Sequence, residues 1–108
     1  MKKYIAKCLL NDMMADRLTM LDSSVLDLLE KIELYTSLID IKYENRLRDM
    51  ELINSIHAYN DDIKQLINKI NDIERVAIEN KCDSLMFSCE NRKAALIGLM
   101  ATLQEKYL

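Results

Sequence analysis

The residues best suited to chemistry in this chain are one histidine and three cysteines, at spacings that fit no metal site. His57 has Asp61 one helical turn after it but no glutamate three residues before it, so the Glu-x-x-His pattern of di-metal helical bundles is missing. Cys82 and Cys89 lie two helical turns apart without a third ligand nearby, whereas zinc ligands cluster tightly. The sequence therefore predicts no metal, no cofactor and no small-molecule substrate.

Catalytic patterns are also missing from the sequence. The chain has one glycine and no proline, so it offers neither a glycine-rich phosphate loop nor the loops that usually carry catalytic groups. No nucleophile is paired with a base and an orienting third group. We predict a protein that is not an enzyme.

The elements of the fold are visible as three rows of apolar residues that alternate spacings of four and three, except that polar Arg92 interrupts the third row between Cys89 and Leu96. The rows are Met14, Leu18, Leu21, Val25, Leu28, Ile32, Tyr35 and Ile39; Ile56, Tyr59, Ile63, Leu66, Ile70, Ile73 and Ala77; and Cys82, Leu85, Cys89, Leu96, Leu99 and Leu103. This period is typical of helices that bury one side against another helix. It predicts an all-α fold, either an antiparallel helical hairpin or coiled coil, or an up-down bundle of three to four helices.

Helix boundaries must come from polar residues that compete for backbone hydrogen bonds, because proline and glycine are scarce. Three such clusters lie at residues 22–24, 60–62 and 80–84. They predict one domain over residues 1–108, with an N-terminal helical arm at 1–22, a long helix at 23–57, and return helices at 61–80 and 83–107. The sequence leaves open whether Asp22 and Asn80 mark turns or lie inside continuous helices.

Charge and cysteine content narrow the class of partner. The net charge is −3, with acids and bases interspersed, and this disfavours binding to nucleic acid. No window is long and apolar enough for membrane insertion. An odd number of cysteines without a pairing motif favours a reducing compartment, so the predicted location is the cytoplasm.

The first apolar row is flanked by further apolar residues, and the combined stripe is too wide for a single neighbouring helix. These flanking residues are Leu26, Leu29, Leu34, Leu38 and Ile41. Two long helices alone would leave them in water, so we predict a protein partner or self-association as a dimer or larger oligomer. The predicted oligomer seam is Leu28, Ile32, Tyr35 and Ile39.

The segment from residue 94 to 103 is apolar nearly all round. It is either the central helix of the bundle or a C-terminal helix that docks a partner, for which the anchors are Leu96, Leu99, Met100 and Leu103. Gly98 within it is interpreted as allowing close contact with a neighbouring helix.

Residues 28–39, Leu-Leu-Glu-Lys-Ile-Glu-Leu-Tyr-Thr-Ser-Leu-Ile, resemble the leucine- and glutamate-rich helix, with its mid-helix tyrosine, of FlgN/FliT-type flagellar export chaperones. Residues 49–53 resemble the segment that follows it. The resemblance implies a cytosolic helical chaperone that holds an export client through helix–helix contacts. Small two-helix stalk proteins of type III secretion look similar and would imply an ATPase partner.

The sequence thus predicts a helical protein-interaction module. The resemblance implies that this module is a chaperone or adaptor of a type III secretion or flagellar export system. Two alternatives stay open. One is a structural coiled-coil protein of a virus or phage that assembles copies of itself. The other is an antitoxin or immunity protein that neutralises one partner.

Overall fold

The structure, a computed structural model, describes residues 2–44 and 50–108, except for the side chains of residues 39–44 and 52. Helix α1 spans Lys2–Glu44, α2 spans Met50–Glu79 and α3 spans Asp83–Tyr107. The described residues contain no strand. The predicted all-α fold class is therefore confirmed.

The helices run up, down and up along a rod that measures 66 × 20 × 16 Å. The rings of Tyr35 and Tyr59 meet edge to face at 5.4 Å, and the side-chain amide of Asn80 donates to the amide oxygen of Asn11 at 3.1 Å. These two contacts fix α1 and α2 as antiparallel. A contact between Asp22 and Arg92 then places α3 parallel to α1.

The core lies where the three apolar rows face one another. Its buried members include Met14, Leu18, Leu28 and Ile32 of α1, Ile56, Ile63, Leu66, Ile70, Ile73 and Ala77 of α2, and Leu85, Cys89, Leu96 and Leu103 of α3. Helix α2 packs closely against both neighbours, and its Glu74 accepts a hydrogen bond from Lys93 of α3 at 2.8 Å. Because the rows keep their four-three spacing apart from the interruption at Arg92, each helix turns one side inward over the length of its row.

The boundary predicted near residue 22 is wrong, because α1 is continuous through Asp22, Ser23 and Ser24. The apolar row stays in phase across this cluster, from Leu18 to Val25, so ending the helix would interrupt a buried seam. Asp22 is also held by Arg92 of α3 and needs no capping role.

The predicted gap between the helices at 23–57 and 61–80 is wrong as well. Helix α2 begins at Met50 and passes without a break through Asn60, Asp61 and Asp62. Asn60 occupies a buried position between Ile56 and Ile63, so this cluster also lies inside a row that remains in phase. The part of the predicted 23–57 helix at residues 45–49 lies outside the described residues.

Helix α2 ends in a Schellman motif at Lys81. The amide of Cys82 donates to the carbonyl of Ala77 at 2.9 Å, and the amide of Lys81 donates to that of Ile78 at 3.1 Å. Lys81 takes a left-handed conformation with φ of 54°, which glycine usually supplies. Three residues thus reverse the chain between α2 and α3.

The first nine described residues of α1 extend past the rest of the bundle. Asn11 meets Asn80 at the α2–α3 connection, so residues 2–10 project about 13 Å beyond it. All nine are exposed. We refer to residues 2–10 as the overhang.

Candidate protein-docking groove

A groove of about 210 Å³ opens between α1 and α3, because these two helices touch each other far less than each touches α2. Its walls are apolar: Leu21, Val25 and Leu29 of α1, and Ala95, Leu96 and Leu99 of α3, with Ile70 of α2 at the floor. We call it the α1–α3 groove. An additional helix lying there would make a four-helix bundle.

The Asp22–Arg92 ion pair closes one end of the groove. Arg92 donates from Nε to Oδ1 and from Nη2 to Oδ2 of Asp22, both at 2.8 Å, and from Nη1 to the carbonyl of Ser88 at 3.2 Å. The hydrogen bonds to Asp22 raise the pKa of Arg92, so the guanidinium stays charged. The pair is a charged link between α1 and α3 at one end of the apolar groove.

Beyond this ion pair the space between α1 and α3 continues as a second groove of different character. It is lined by Asn11, Asp12, Ala15, Leu18 and Thr19 of α1, and by Cys82, Ser84, Leu85 and Ser88 of α3. Hydroxyl, amide and carboxylate groups contribute a much larger part of this lining than of the first groove. An apolar helix side would therefore gain more from the half lined by Leu21 and Leu29.

The rim of the apolar half carries leucines in contact with solvent. Asp22, Leu26 and Leu29 follow one another at spacings of four and three, so they share one side of α1. Leu26 is 61% exposed and Leu29 is 38% exposed. Since fully burying a leucine contributes about 1.5–3 kcal/mol, covering this rim would favour binding.

The predicted docking anchors are divided by the structure. Leu96 and Leu103 are buried in the core of the single chain, so they offer a partner little accessible surface, even though Leu96 lines the groove. Leu99 and Met100 are half-buried, and Leu99 lines the α1–α3 groove. The apolar segment thus contributes Leu96 and Leu103 to the core, and of the predicted anchors only Leu99 and Met100 remain candidates for docking.

The predicted oligomer seam is covered from within the chain. Leu28 and Ile32 are buried in the core, and Tyr35 packs against it. The side chain of Ile39 lies outside the described residues. Self-association therefore has to use other surfaces of α1, such as the exposed Leu34 and Leu38 or the rim at Leu26.

The groove residues that the sequence analysis missed are Leu21, Val25 and Ala95. Leu21 and Val25 belong to the first apolar row and were assigned to the core. The sequence feature that could have indicated them is the width of the apolar stripe, which Leu26 and Leu29 extend toward one side of α1. On α3, the small side chain of Ala95 leaves space opposite them.

The potential metal ligands lie apart from this groove or from one another. His57 is exposed on α2, and residues 2–44 and 50–108 hold no group of three His, Cys, Asp or Glu side chains placed to bind a metal. Cys8, Cys82 and Cys89 are free, and burial raises the pKa of the Cys89 thiol. Burial and a raised pKa both suppress thiolate reactivity at Cys89.

Comparison with protein-family models, curated proteins and solved structures finds no match to this chain. Among the described residues, no helical stretch combines the length and the apolar character needed to span a lipid bilayer.

Proposed function

We propose that this protein is a non-enzymatic interaction module that binds a helix of another protein in the α1–α3 groove. The observation that carries the proposal is the groove itself. Its two walls are lined by apolar side chains, and the space between α1 and α3 can receive apolar side chains of a bound helix. Binding of an amphipathic helix in such a groove is a common mode of peptide recognition. Leu26 and Leu29 would be covered by the bound helix.

The more specific proposal is a chaperone or adaptor of a flagellar or type III export system. It is supported by the resemblance of residues 28–39 to export chaperones. Within that segment Leu29, Leu34 and Leu38 remain exposed and would be free to contact a client. Three free cysteines support a cytoplasmic location for it.

A structural role in self-assembly is the second candidate, and the overhang is the observation that favours it. Residues 2–10 make a helical extension that covers no part of its own bundle. A chain that only assembled copies of itself would show strong self-association and no other specific protein partner.

The test is a pull-down from the native host, with three purified versions of the protein as bait: the wild type, Leu29→Asp in the groove, and Ile97→Asp as a matched control. Ile97 is an exposed apolar residue of α3 that does not line the groove. Captured proteins are identified by mass spectrometry, and their binding to each bait is then measured by isothermal titration calorimetry.

We expect one partner to bind the wild type and Ile97→Asp equally and to bind Leu29→Asp at least about tenfold more weakly, because a leucine that the bound helix would cover is replaced by a charge. Circular dichroism must show the same helicity for all three baits. Equal binding to Leu29→Asp would rule out the groove as the docking surface. A partner unrelated to export would refute the chaperone proposal while leaving the groove proposal intact.

A further inference from the structure

The overhang and the α1–α3 groove are two apolar surfaces of the same chain that the fold leaves uncovered. In the overhang, Tyr4, Ile5, Cys8 and Leu9 share one side of the helix, because Cys8 and Leu9 lie four residues after Tyr4 and Ile5. Tyr4 is 71% exposed, Ile5 55% and Leu9 59%. Helical surface of this kind gains stability when another element covers it.

The two surfaces match in length. The groove wall from Leu21 to Leu29 measures about 12 Å along α1, and the overhang measures about 13 Å. Both are straight helical segments, so one can lie along the other over its whole length. The overhang cannot reach the groove of its own chain, because it points away from it on the same rigid helix.

The two surfaces also match in charge. The overhang carries Lys2, Lys3 and Lys7, and no carboxylate precedes Asp12. On the groove rim, Leu26 and Leu29 are each followed one helical turn later by an exposed glutamate, Glu30 and Glu33. When the overhang lies in the groove, its lysines therefore come near the glutamates of the groove rim. This attraction favours the pairing of these two surfaces over random association.

We propose that the protein forms a two-fold symmetric dimer in which the overhang of each copy occupies the α1–α3 groove of the other. The exchange is reciprocal, so it buries both uncovered surfaces in both copies. No binding surface is left to add a third copy, and the assembly stops at two. The proposal uses the same groove as the proposed function, and a partner helix would compete with the overhang for it.

The symmetry places a small residue where the two α1 helices cross. An overhang centred on Ala6 that lies in a groove centred on Val25 puts the two-fold axis close to Ala15. Ala15 is exposed and lies on the side of α1 that also carries Cys8 of the overhang and Leu26. Its methyl group allows the two helices to approach closely at the axis.

The first measurement is the mass of the full chain in solution by light scattering and analytical ultracentrifugation. We expect a dimer for the wild type and for the control variant Ile97→Asp, which changes an exposed isoleucine of α3 that lines neither surface. We expect Leu9→Asp in the overhang and Leu29→Asp in the groove each to raise the dissociation constant at least about 100-fold, because each loss occurs twice in the dimer.

The decisive measurement mixes the two defective variants. A mixed dimer of Leu9→Asp and Leu29→Asp keeps one intact overhang in one intact groove and places both changes in the other site. Because either change alone already opens that site, the second change costs little there, and mixing should restore association about tenfold relative to either variant alone. Contact between two overhangs or between two grooves predicts no such recovery. Thermal unfolding of each variant checks that the bundle itself is intact.

A monomeric wild type would refute the dimer, and so would a dimer that Leu9→Asp leaves unchanged. Binding of a monomeric wild type to anionic phosphatidylserine vesicles through Leu9 would instead assign the overhang to a membrane surface. Partner capture distinguishes the two proposals: Leu9→Asp should still capture the partner if only the dimer fails, whereas Leu29→Asp should lose both activities.

Discussion

Arg92 and Asp22, which are far apart in the sequence, form a bidentate ion pair in which both nitrogen-to-oxygen distances are 2.8 Å. It connects α1 to α3, which otherwise touch little, and both side chains are only partly exposed. The pairing depends on the planar guanidinium fork, which lysine cannot reproduce.

Replacing Arg92 by lysine is therefore expected to lower the free energy of unfolding by about 1 kcal/mol, because one of two charge-assisted hydrogen bonds is lost. Arg75→Lys is the control, since Arg75 forms a single, exposed contact of 3.6 Å to Asp72. Its effect should stay below about 0.5 kcal/mol in urea denaturation. Equal effects of the two changes would show that the α1–α3 connection contributes no special stability.

Asn60 is a polar residue in the apolar seam of α2. It is 5% exposed, and its Oδ1 has no hydrogen-bond partner within the described part of the chain. Asn60→Leu should raise the free energy of unfolding by about 1 kcal/mol, because a desolvated carbonyl is replaced by apolar contact. The exposed Asn54→Leu serves as the control and should change stability by less than about 0.5 kcal/mol. A loss of stability in Asn60→Leu would contradict this account.

Gly98 lies in the middle of α3, and no described residue outside its own stretch of helix comes within 4 Å of the position a Cβ would take. The interpretation that Gly98 allows close helix contact is therefore wrong within the single chain. Gly98→Ala should raise the free energy of unfolding by about 1 kcal/mol through helix propensity. Thermal melting followed by circular dichroism measures this, and an unchanged midpoint would contradict it.

At Lys81, in contrast to Gly98, glycine would suit the backbone better than the residue present, because Lys81 adopts the left-handed conformation at the end of α2. Lys81→Gly should stabilise the protein by about 1 kcal/mol, since glycine adopts this conformation without steric cost. Lys81→Ala removes the same charge but keeps a Cβ, so it should leave the unfolding free energy nearly unchanged. Similar gains in both variants would assign the effect to charge.

Alkaline pH should destabilise the protein through Cys89 and Tyr59. Burial is the main cause that raises the pKa of each, helped by the Glu74 carboxylate for Cys89 and by Tyr35 for Tyr59. As pH rises past the ordinary pKa, about 8.5 for cysteine and 10 for tyrosine, the unfolded chain loses the proton first. Stability is thus complete at lower pH and falls by up to about 1.4 kcal/mol per pH unit and group.

Urea denaturation between pH 7 and 10.5 measures this dependence. Cys89→Ala should lose the part that begins near pH 8.5, and Tyr59→Phe should lose the part that begins near pH 10. Stability that stays constant over this range in the wild type would refute the prediction.

The inward side of each helix could be predicted from the sequence because the four-three spacing of rows such as Leu18 to Ile32 measures the direction of burial directly. Helix boundaries were less accessible. Asp22 and Asn60 look like caps locally, yet a cap contributes only about 1 kcal/mol, whereas a break in the row would expose several buried leucines and isoleucines. Tertiary packing therefore decides against the local preference at both places.

The candidate site could be predicted only in part, since a periodic row shows that a residue is covered but not which chain covers it. Leu96 and Leu99 carry the same sequence signal, and the structure buries the first under α2 while leaving the second beside the groove. The groove depends on the position of α1 relative to α3. The contact between Asp22 and Arg92 fixes that position, and nothing in the local sequence around either residue indicates it.

The length of the rod has a practical consequence for hydrodynamic measurements. Its radius of gyration is 17.7 Å, whereas a compact chain of this size would have about 13 Å. A single copy will diffuse and tumble slowly for its mass and will elute early from a gel-filtration column calibrated with spherical standards. Elution volume alone would therefore report one copy as two.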